Sequence, residues 1–250
     1  MLNKYPVIPR HSIISTISFK RQTDLLESLD LDVTYSCLQA WEESAEPSRA
    51  FAFFNSGAHS GASQRHRHLQ CLSVNDMMEP ASPETEWQPL IDSMTEPLPD
   101  HPSILNNPKL PFFHFAMRIP VSPDAGTLQQ IYHQLYDCAS KSVQSWRQGG
   151  PPEDTAGDSH TKDAPISYNL AMTTRAMAIC PRRNETAILS TTTGEGSVAV
   201  NGTILGGTLM VKELSEWDAL RNGYARIDEV LKEIGIPSLE CMGEASSPRL

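Results

Sequence analysis

Asn55-Ser56-Gly57-Ala58-His59-Ser60-Gly61-Ala62-Ser63-Gln64-Arg65-His66-Arg67-His68-Leu69-Gln70 lies between two apolar runs, Phe51-Ala52-Phe53-Phe54 before it and Cys71-Leu72-Ser73-Val74 after it. The apolar runs read as two buried strands. Between them Gly, Ser and Ala make a bend with few side chains to hold a backbone away from a bulky anion. Glycine also reaches the positive φ angles that aim successive N–H groups the same way. The His-x-His-x-Gln run then follows at alternate positions. Side chains of a strand alternate faces, so His66, His68 and Gln70 share one face while Arg67, Leu69 and Cys71 share the other.

The histidine pair admits three readings. Imidazoles at i and i+2 can share a Zn²⁺, although no third ligand stands at a predictable spacing. His, Arg and Gln can form a plain polar face on an edge strand. A neutral imidazole, with an ordinary pKa of about 6.5, can also act as a nucleophile on an α-phosphate and form a phosphoramidate. That chemistry needs an anion cradle for the phosphoryl oxygens. Residues 57–64 supply a candidate directly upstream.

Working outward, residues 11–16 read as a strand. Residues 22–43 read as one helix or two, through Leu25, Leu26, Leu29, Val33, Leu38 and Trp41. Glu46-Pro47-Ser48 is a turn. Prolines at 80, 83, 89, 97, 99, 102 and 108 forbid a long regular element, so this stretch is a connection and the boundary between two parts. Residues 112–119 read as a strand and residues 124–147 as a helix, with apolar positions Leu128, Ile131, Leu135, Ala139 and Val143. The Gly- and Pro-rich residues 149–163 read as mobile. Residues 166–172 and 176–180 are two strands joined by a short turn. Residues 197–200 form another strand and residues 206–212 a buried segment. Residues 216–234 read as one amphipathic helix through Trp217, Leu220, Tyr224, Ile227, Val230 and Leu231. Strands and helices mix without regular alternation, which predicts an α+β fold with a mainly antiparallel sheet.

The chain has 250 residues, 39% of them hydrophobic, enough for a sizeable core. A net charge of −10 argues against a general nucleic-acid binder but leaves room for a locally positive nucleotide pocket. The five cysteines (37, 71, 138, 180, 241) show no CxxC pair, which fits reduced thiols better than a disulfide framework. No apolar run approaches the roughly 18 residues of a membrane helix. Leu-Asn-Lys-Tyr-Pro after Met1 is no signal peptide. The expected location is cytoplasmic, possibly also nuclear, with neither nucleic acid nor membrane as partner; the oligomeric state is not legible.

The central motif, Asn-Ser-Gly-x-x-Ser-Gly-Ala-Ser-Gln-x-His-x-His-Leu-Gln ending at Gln70, closely resembles the signature of the diadenosine tetraphosphate (Ap4A) phosphorylases, or ATP adenylyltransferases. These are a branch of the histidine-triad (HIT-like) superfamily in which glutamine replaces the third histidine. Residues 3–9, 22–26, 167–170 with Pro181-Arg182, and 201–212 also look like that family. The resemblance implies a HIT-like antiparallel sheet with flanking helices. It implies a catalytic region over residues 1–105, a C-terminal ATP adenylyltransferase region over 106–238 and a disordered tail over 239–250. His68 would be the nucleophile that becomes AMP-histidine, His66 would orient and polarise the site, and Gln70 would bond the transferring phosphate. Gly61, Ala62, Ser63 and Gln64 would bind phosphates, and Asn55 the nucleotide. Asn3, Lys4, Asn201, Gly202, Thr203 and Lys212 would make further substrate contacts, with Lys212 a positive charge for the polyphosphate. The implied reaction is the reversible conversion of Ap4A and phosphate to ATP and ADP. A divalent cation, Mg²⁺ or Mn²⁺, would accompany the nucleotide, with no metal cage on the protein.

The chain also departs from the family. Members carry a segment before the equivalent of Leu2, including a polyphosphate-binding lysine, so the chain reads as N-terminally shortened. Gly206-Gly207-Thr208 is smaller than the family's aromatic and methionine content there. A second reading follows, from a different class: a nucleotide-binding paralogue with the same site and little or no turnover.

Overall fold

The computed structural model describes residues 1–44, 48–78, 87–95, 103–149, 166–191, 194–223 and 226–237. Six antiparallel strands form the main sheet: β1 (Ser12–Ser15), β2 (Ala50–Ser56), β3 (His68–Ser73), β4 (Phe115–Arg118), β5 (Tyr168–Met172) and β6 (Ala176–Pro181). They lie in the order β1-β3-β2-β5-β6-β4. Strands from both ends of the chain therefore share one sheet, joined where β2 pairs with β5 from Ala52↔Met172 to Ser56↔Tyr168. A separate hairpin joins β7 (Thr186–Thr191) to β8 (Gly194–Ala199). The helices are α1 (Ser28–Glu42), α2 (Val74–Met77), α3 (Leu90–Thr95), α4 (Ala125–Gly149), α5 (Leu214–Arg221) and α6 (Ile227–Ile234), with a 3₁₀ turn over Gly202–Gly206. The fold is α+β, as the pattern predicted.

All seven residues of β2 are buried, because both faces of this central strand are covered. That is why Phe51 to Phe54 read as a continuous apolar run rather than an alternation. On one face α1 and α4 cover Ala52, Phe54, Leu69 and Cys71. On the other, Phe51, Phe53 and Leu72 pack with the 3₁₀ turn, α3 and α6. The expected stripe of α4 holds throughout: Leu128, Ile131, Leu135, Ala139 and Val143 are all buried. Each large aliphatic side chain so placed contributes about 1.5–3 kcal/mol.

Several boundaries differ from the sequence reading. Helix α1 starts at Ser28, not residue 22, because Glu27 and Asp30 close a reciprocal capping box there. Its buried residues include Leu31, Tyr35 and Leu38, whereas Leu25, Leu29 and Val33 are exposed. Both stripes have helical spacing, and only docking on the sheet selects between them. The strand at 112–119 shrinks to four residues, since the Phe113 N–H donates to the carbonyl of Ile236 rather than to the sheet. The single helix over 216–234 is two helices, parted beyond Asn222 at Gly223, whose φ is +75°. Trp217 does not anchor that helix in the core: it is 45% exposed. In the segment 206–212 only Gly206 is buried, and strand β7 carried no readable signal. The proline-rich connection contains a six-residue helix, α3. Residues 79–86, 96–102, 150–163 and the expected tail at 239–250 lie outside the described residues, as does Tyr224. No helix among the described residues is long and apolar enough to cross a membrane.

His114 is a core histidine and fully buried. Its Nε2 accepts from the Asn107 N–H at 2.8 Å, so the proton sits on Nδ1, which faces the Phe112 carbonyl at 3.1 Å. Burial pushes its pKa below the ordinary histidine value. Unfolding returns it to about 6.5, so the stability it contributes is complete above that pH and is lost as pH falls through it. Thermal melting at pH 7.5 and 5.5 should therefore show an acid-induced drop that His114→Gln reduces. An equal drop in both proteins removes His114 from the account.

Candidate active site

Strands β2 and β3 pair as far as Phe53↔Gln70. Two residues further on the same register would set Asn55 against His68, but a side chain from outside the ladder occupies that place. The Gln22 amide nitrogen donates to the Asn55 carbonyl at 2.8 Å and to the His68 carbonyl at 3.2 Å, and its oxygen accepts the His68 N–H at 2.8 Å. The strands part here. His68, opposite Ser15 of β1, lies on the sheet face away from α1 and α4, together with Gln70, Phe53 and Asn55.

The His68 ring is buried, 8% exposed, and its Nδ1 lies 2.9 Å from the carbonyl of His66. A carbonyl only accepts, so Nδ1 carries the proton and Nε2 presents its lone pair. The ring of His66 turns elsewhere: its Nε2 meets the Thr16 hydroxyl at 2.9 Å and the ring lies beside Phe19. His68 therefore meets residue 66 through its backbone carbonyl and not through its imidazole.

Gln70 is set by a relay. Asn3 Oδ1 accepts the Tyr5 N–H, so the Asn3 amide donates to His11 Nδ1 at 3.1 Å. The proton of His11 is then on Nε2, which donates to Gln70 Oε1 at 2.9 Å. Gln70 keeps its two N–H donors for a ligand. Burial lowers the pKa of His11, partly opposed by its bond to Gln70, and nearby His68 lowers it further. The relay therefore stays neutral at physiological pH.

Asn55 is fixed from three sides. Its oxygen accepts from Asn169 Nδ2 and from the Gly202 N–H, both at 2.9 Å. Asn169 also donates to the Ser60 carbonyl at 2.8 Å and accepts from Arg182. Arg182, 3% exposed, reaches the carbonyls of Asn184, Val200 and Ile234. Burial lowers its pKa to about 10, still cationic at neutral pH. The network ties the bend, the sheet and the 3₁₀ turn to one another, and it leaves Asn55 only N–H groups to offer.

The bend needs glycine at residue 61. Its φ is +76°, and a Cβ there would lie 2.7 Å from the Cβ of Asn201. Among the described residues the N–H groups of Gly61, Ala62, Ser63 and Gln64 meet no protein acceptor. Gly61 and Ala62 are half-buried, whereas Ser63 and Gln64 are exposed. Asn201 spends its side-chain oxygen on the N–H and hydroxyl of Thr203, capping the 3₁₀ turn. Lys4 is exposed, with its ammonium 5.1 Å from the ring centre of Tyr5. Lys212 is exposed before α5, its N–H directed at Glu216. The structure thus gathers His68, Gln70, Asn55, Gly202 and, through His11, Asn3, and leaves both lysines outside these bonds.

Other nucleophiles are disarmed. Burial pushes the thiols of Cys71 and Cys180 up to about 12, so both stay protonated. Among the described residues no three His, Cys, Asp or Glu side chains converge as a metal site.

Comparison with known proteins now bears on this geometry. The Ap4A phosphorylase N-terminal domain matches residues 1–93, and the ATP adenylyltransferase C-terminal domain matches residues 108–237. The chain belongs to the Ap4A phosphorylase family. Its relatives in Saccharomyces cerevisiae include Protein APA1, 27% identical over 95% of this chain and 68% of the relative. Another is diadenosine 5',5'''-P1,P4-tetraphosphate phosphorylase 2, 26% identical over 95% of this chain and 69% of the relative. The crystal structure of yeast Ap4A phosphorylase Apa2 in complex with AMP superposes with a TM-score of 0.71 at 27% identity, covering 95% of this chain and 72% of that one.

Four residues of this family member escaped the sequence reading as site residues: His11, Gln22, Asn169 and Arg182. His11 opens a readable strand, and Arg182 falls in a segment that resembles the family. Nothing local marks what they touch. Gln22 and His68 are 46 residues apart, and Asn169 and Asn55 are 114.

Proposed function

We propose that this chain is a nucleotidyltransferase that phosphorolyses Ap4A to ATP and ADP, reversibly, through an AMP-histidine at His68. The observation that carries this is the tautomer of His68. With its Nδ1 proton held by the His66 carbonyl, Nε2 is the free nucleophile. The Nε2 lone pair attacks the α-phosphorus of Ap4A, an N–P bond forms, and the P–O bond to the departing ATP breaks. An oxygen of inorganic phosphate then attacks the same phosphorus, the N–P bond breaks, ADP leaves and the imidazole is regenerated. The Gln70 N–H groups and the free amides of residues 61–64 stabilise charge on the phosphoryl oxygens. Asn55, Asn201, Gly202, Thr203 and Asn3 build the nucleotide side of the site, with Lys4 and Lys212 as charges at its margin. A divalent cation, if used, rides on the substrate's own phosphates.

Incubation with Ap4A and phosphate should yield ATP and ADP, and Ap4A alone should leave an AMP-sized mass on a peptide containing His68. Binding of Ap4A with neither product would leave a nucleotide-binding protein instead. Gln70→Ala should slow AMP transfer about 100-fold, as expected for a lost phosphate donor. His11→Ala should slow it in the same direction by roughly tenfold, because Gln70 is then free to turn. Ap4A affinity should stay within about threefold in both, since the Asn55 network is intact. A His11→Ala rate equal to wild type would disconnect the relay from the reaction.

A further inference from the structure

We propose that Gln22 is the positioning residue of His68: its inserted carboxamide fixes the backbone that carries the imidazole and holds β2 and β3 apart where the α-phosphate is attacked. This rests on the nucleophilic role proposed for His68. In an uninterrupted ladder the residues opposite each other stand with Cβ atoms about 4.5–5.5 Å apart on one face. Register assigns Asn55 and His68 to each other in that way. Pairing them directly would leave no room for a phosphoryl group between their side chains. A primary carboxamide carries the same donor and acceptor chemistry as a peptide unit, so it can substitute for one strand at a single step. Gln22 uses all of it, with the nitrogen on two carbonyls and the oxygen on the His68 N–H.

The insertion is built rather than incidental. Gln22 is 3% exposed, and its own N–H donates to the Arg65 carbonyl at 2.8 Å. Just before it in the chain, Arg21 bridges to His66 and the Lys20 carbonyl accepts the Arg67 N–H. Beyond them the buried Arg67 guanidinium bonds Glu27 at 3.1 Å and Asp30 at 2.7 Å, pinning the chain that follows Gln22. The segment 20–30 is thus clamped to the His66–His68 strand entry from both sides, with Gln22 at the point where His68 departs. A misplacement of about 1 Å at a reacting group costs on the order of 100-fold in rate.

The test is Gln22→Met, which keeps length and removes every side-chain hydrogen bond. Single-turnover formation of AMP-histidine from Ap4A should fall about 100-fold, while AMP affinity changes less than about threefold. A folded Gln22→Met that forms the adduct within about threefold of wild type overturns the proposal. If Gln22→Met does not fold, Gln22→Asn, a carboxamide too short to span both strands, carries the same two outcomes. Imidazole ¹⁵N spectra give a readout free of turnover. The Nδ1–H tautomer of His68 should dominate in wild type and mix with the other in the variant, whereas identical spectra count against Gln22. Should wild type itself form no adduct, the proposed function falls, and these spectra still decide whether Gln22 positions His68.

Discussion

His68→Ala should abolish the AMP adduct and lower Ap4A phosphorolysis by at least about 10³-fold, roughly 4 kcal/mol or more of transition-state stabilisation. The loss is larger than for the neighbours because, among the described residues of the site, their candidate groups are engaged or unsuited to attack. The His66 ring is engaged at Thr16, Gln70 and Asn55 are amides, and Cys71 and Cys180 are protonated thiols. The two histidines should separate cleanly. His66→Ala keeps the backbone carbonyl on which His68 Nδ1 rests, so it should retain the adduct and lose only the bonds to Thr16 and Ser18. Mass analysis of the trapped adduct, with initial rates of ATP release, decides both. Full turnover in His68→Ala would end the mechanism.

Arg182→Met should be the most destabilising of the changes considered, by about 3–5 kcal/mol. The guanidinium donates to the Asn169 side-chain oxygen, and it also serves the carbonyls of Asn184 at 2.8 Å, Val200 at 2.9 Å and Ile234 at 3.2 Å. Methionine fills the space and satisfies none of these, so several buried oxygens lose their partner together. In a chain of this size the melting temperature should fall on the order of 10 °C. Ap4A affinity should fall as well, because Asn169 and then Asn55 lose their fixed orientation. A shift under about 2 °C would show that water or rearranged neighbours replace the cation, and that Arg182 is not the hub of the site.

Local pattern was legible wherever one side chain's environment followed from its neighbours in sequence. The long helix α4 announced itself because five apolar residues at helical spacing need one buried face. Strands β2, β5 and β6 did so because they are covered on both sides and hence uniformly apolar. The readings failed where two local answers were equally good. Of the residues read as the stripe of this region, Leu26 and Leu38 are buried but Leu25, Leu29 and Val33 are exposed, and Leu31 and Tyr35 fill the buried face of α1 instead. Residues 216–234 satisfy one helical pattern, and the left-handed Gly223 divides it. The hairpin strand β7 buries alternate residues, Ala187 and Leu189, because α5 and α6 pack against that face.

By itself the sequence determined that a glycine-bearing bend leads into a strand whose alternate residues are His66, His68 and Gln70, because backbone sterics and strand periodicity act within a few residues. Only the tertiary structure decided what those residues can do. The orientation of Gln70 by His11, the anchoring of Asn55 by Asn169, and the wedge formed by Gln22 each require groups tens of residues apart to come within about 3 Å. Strand register brings them there, and register is a property of the folded sheet as a whole.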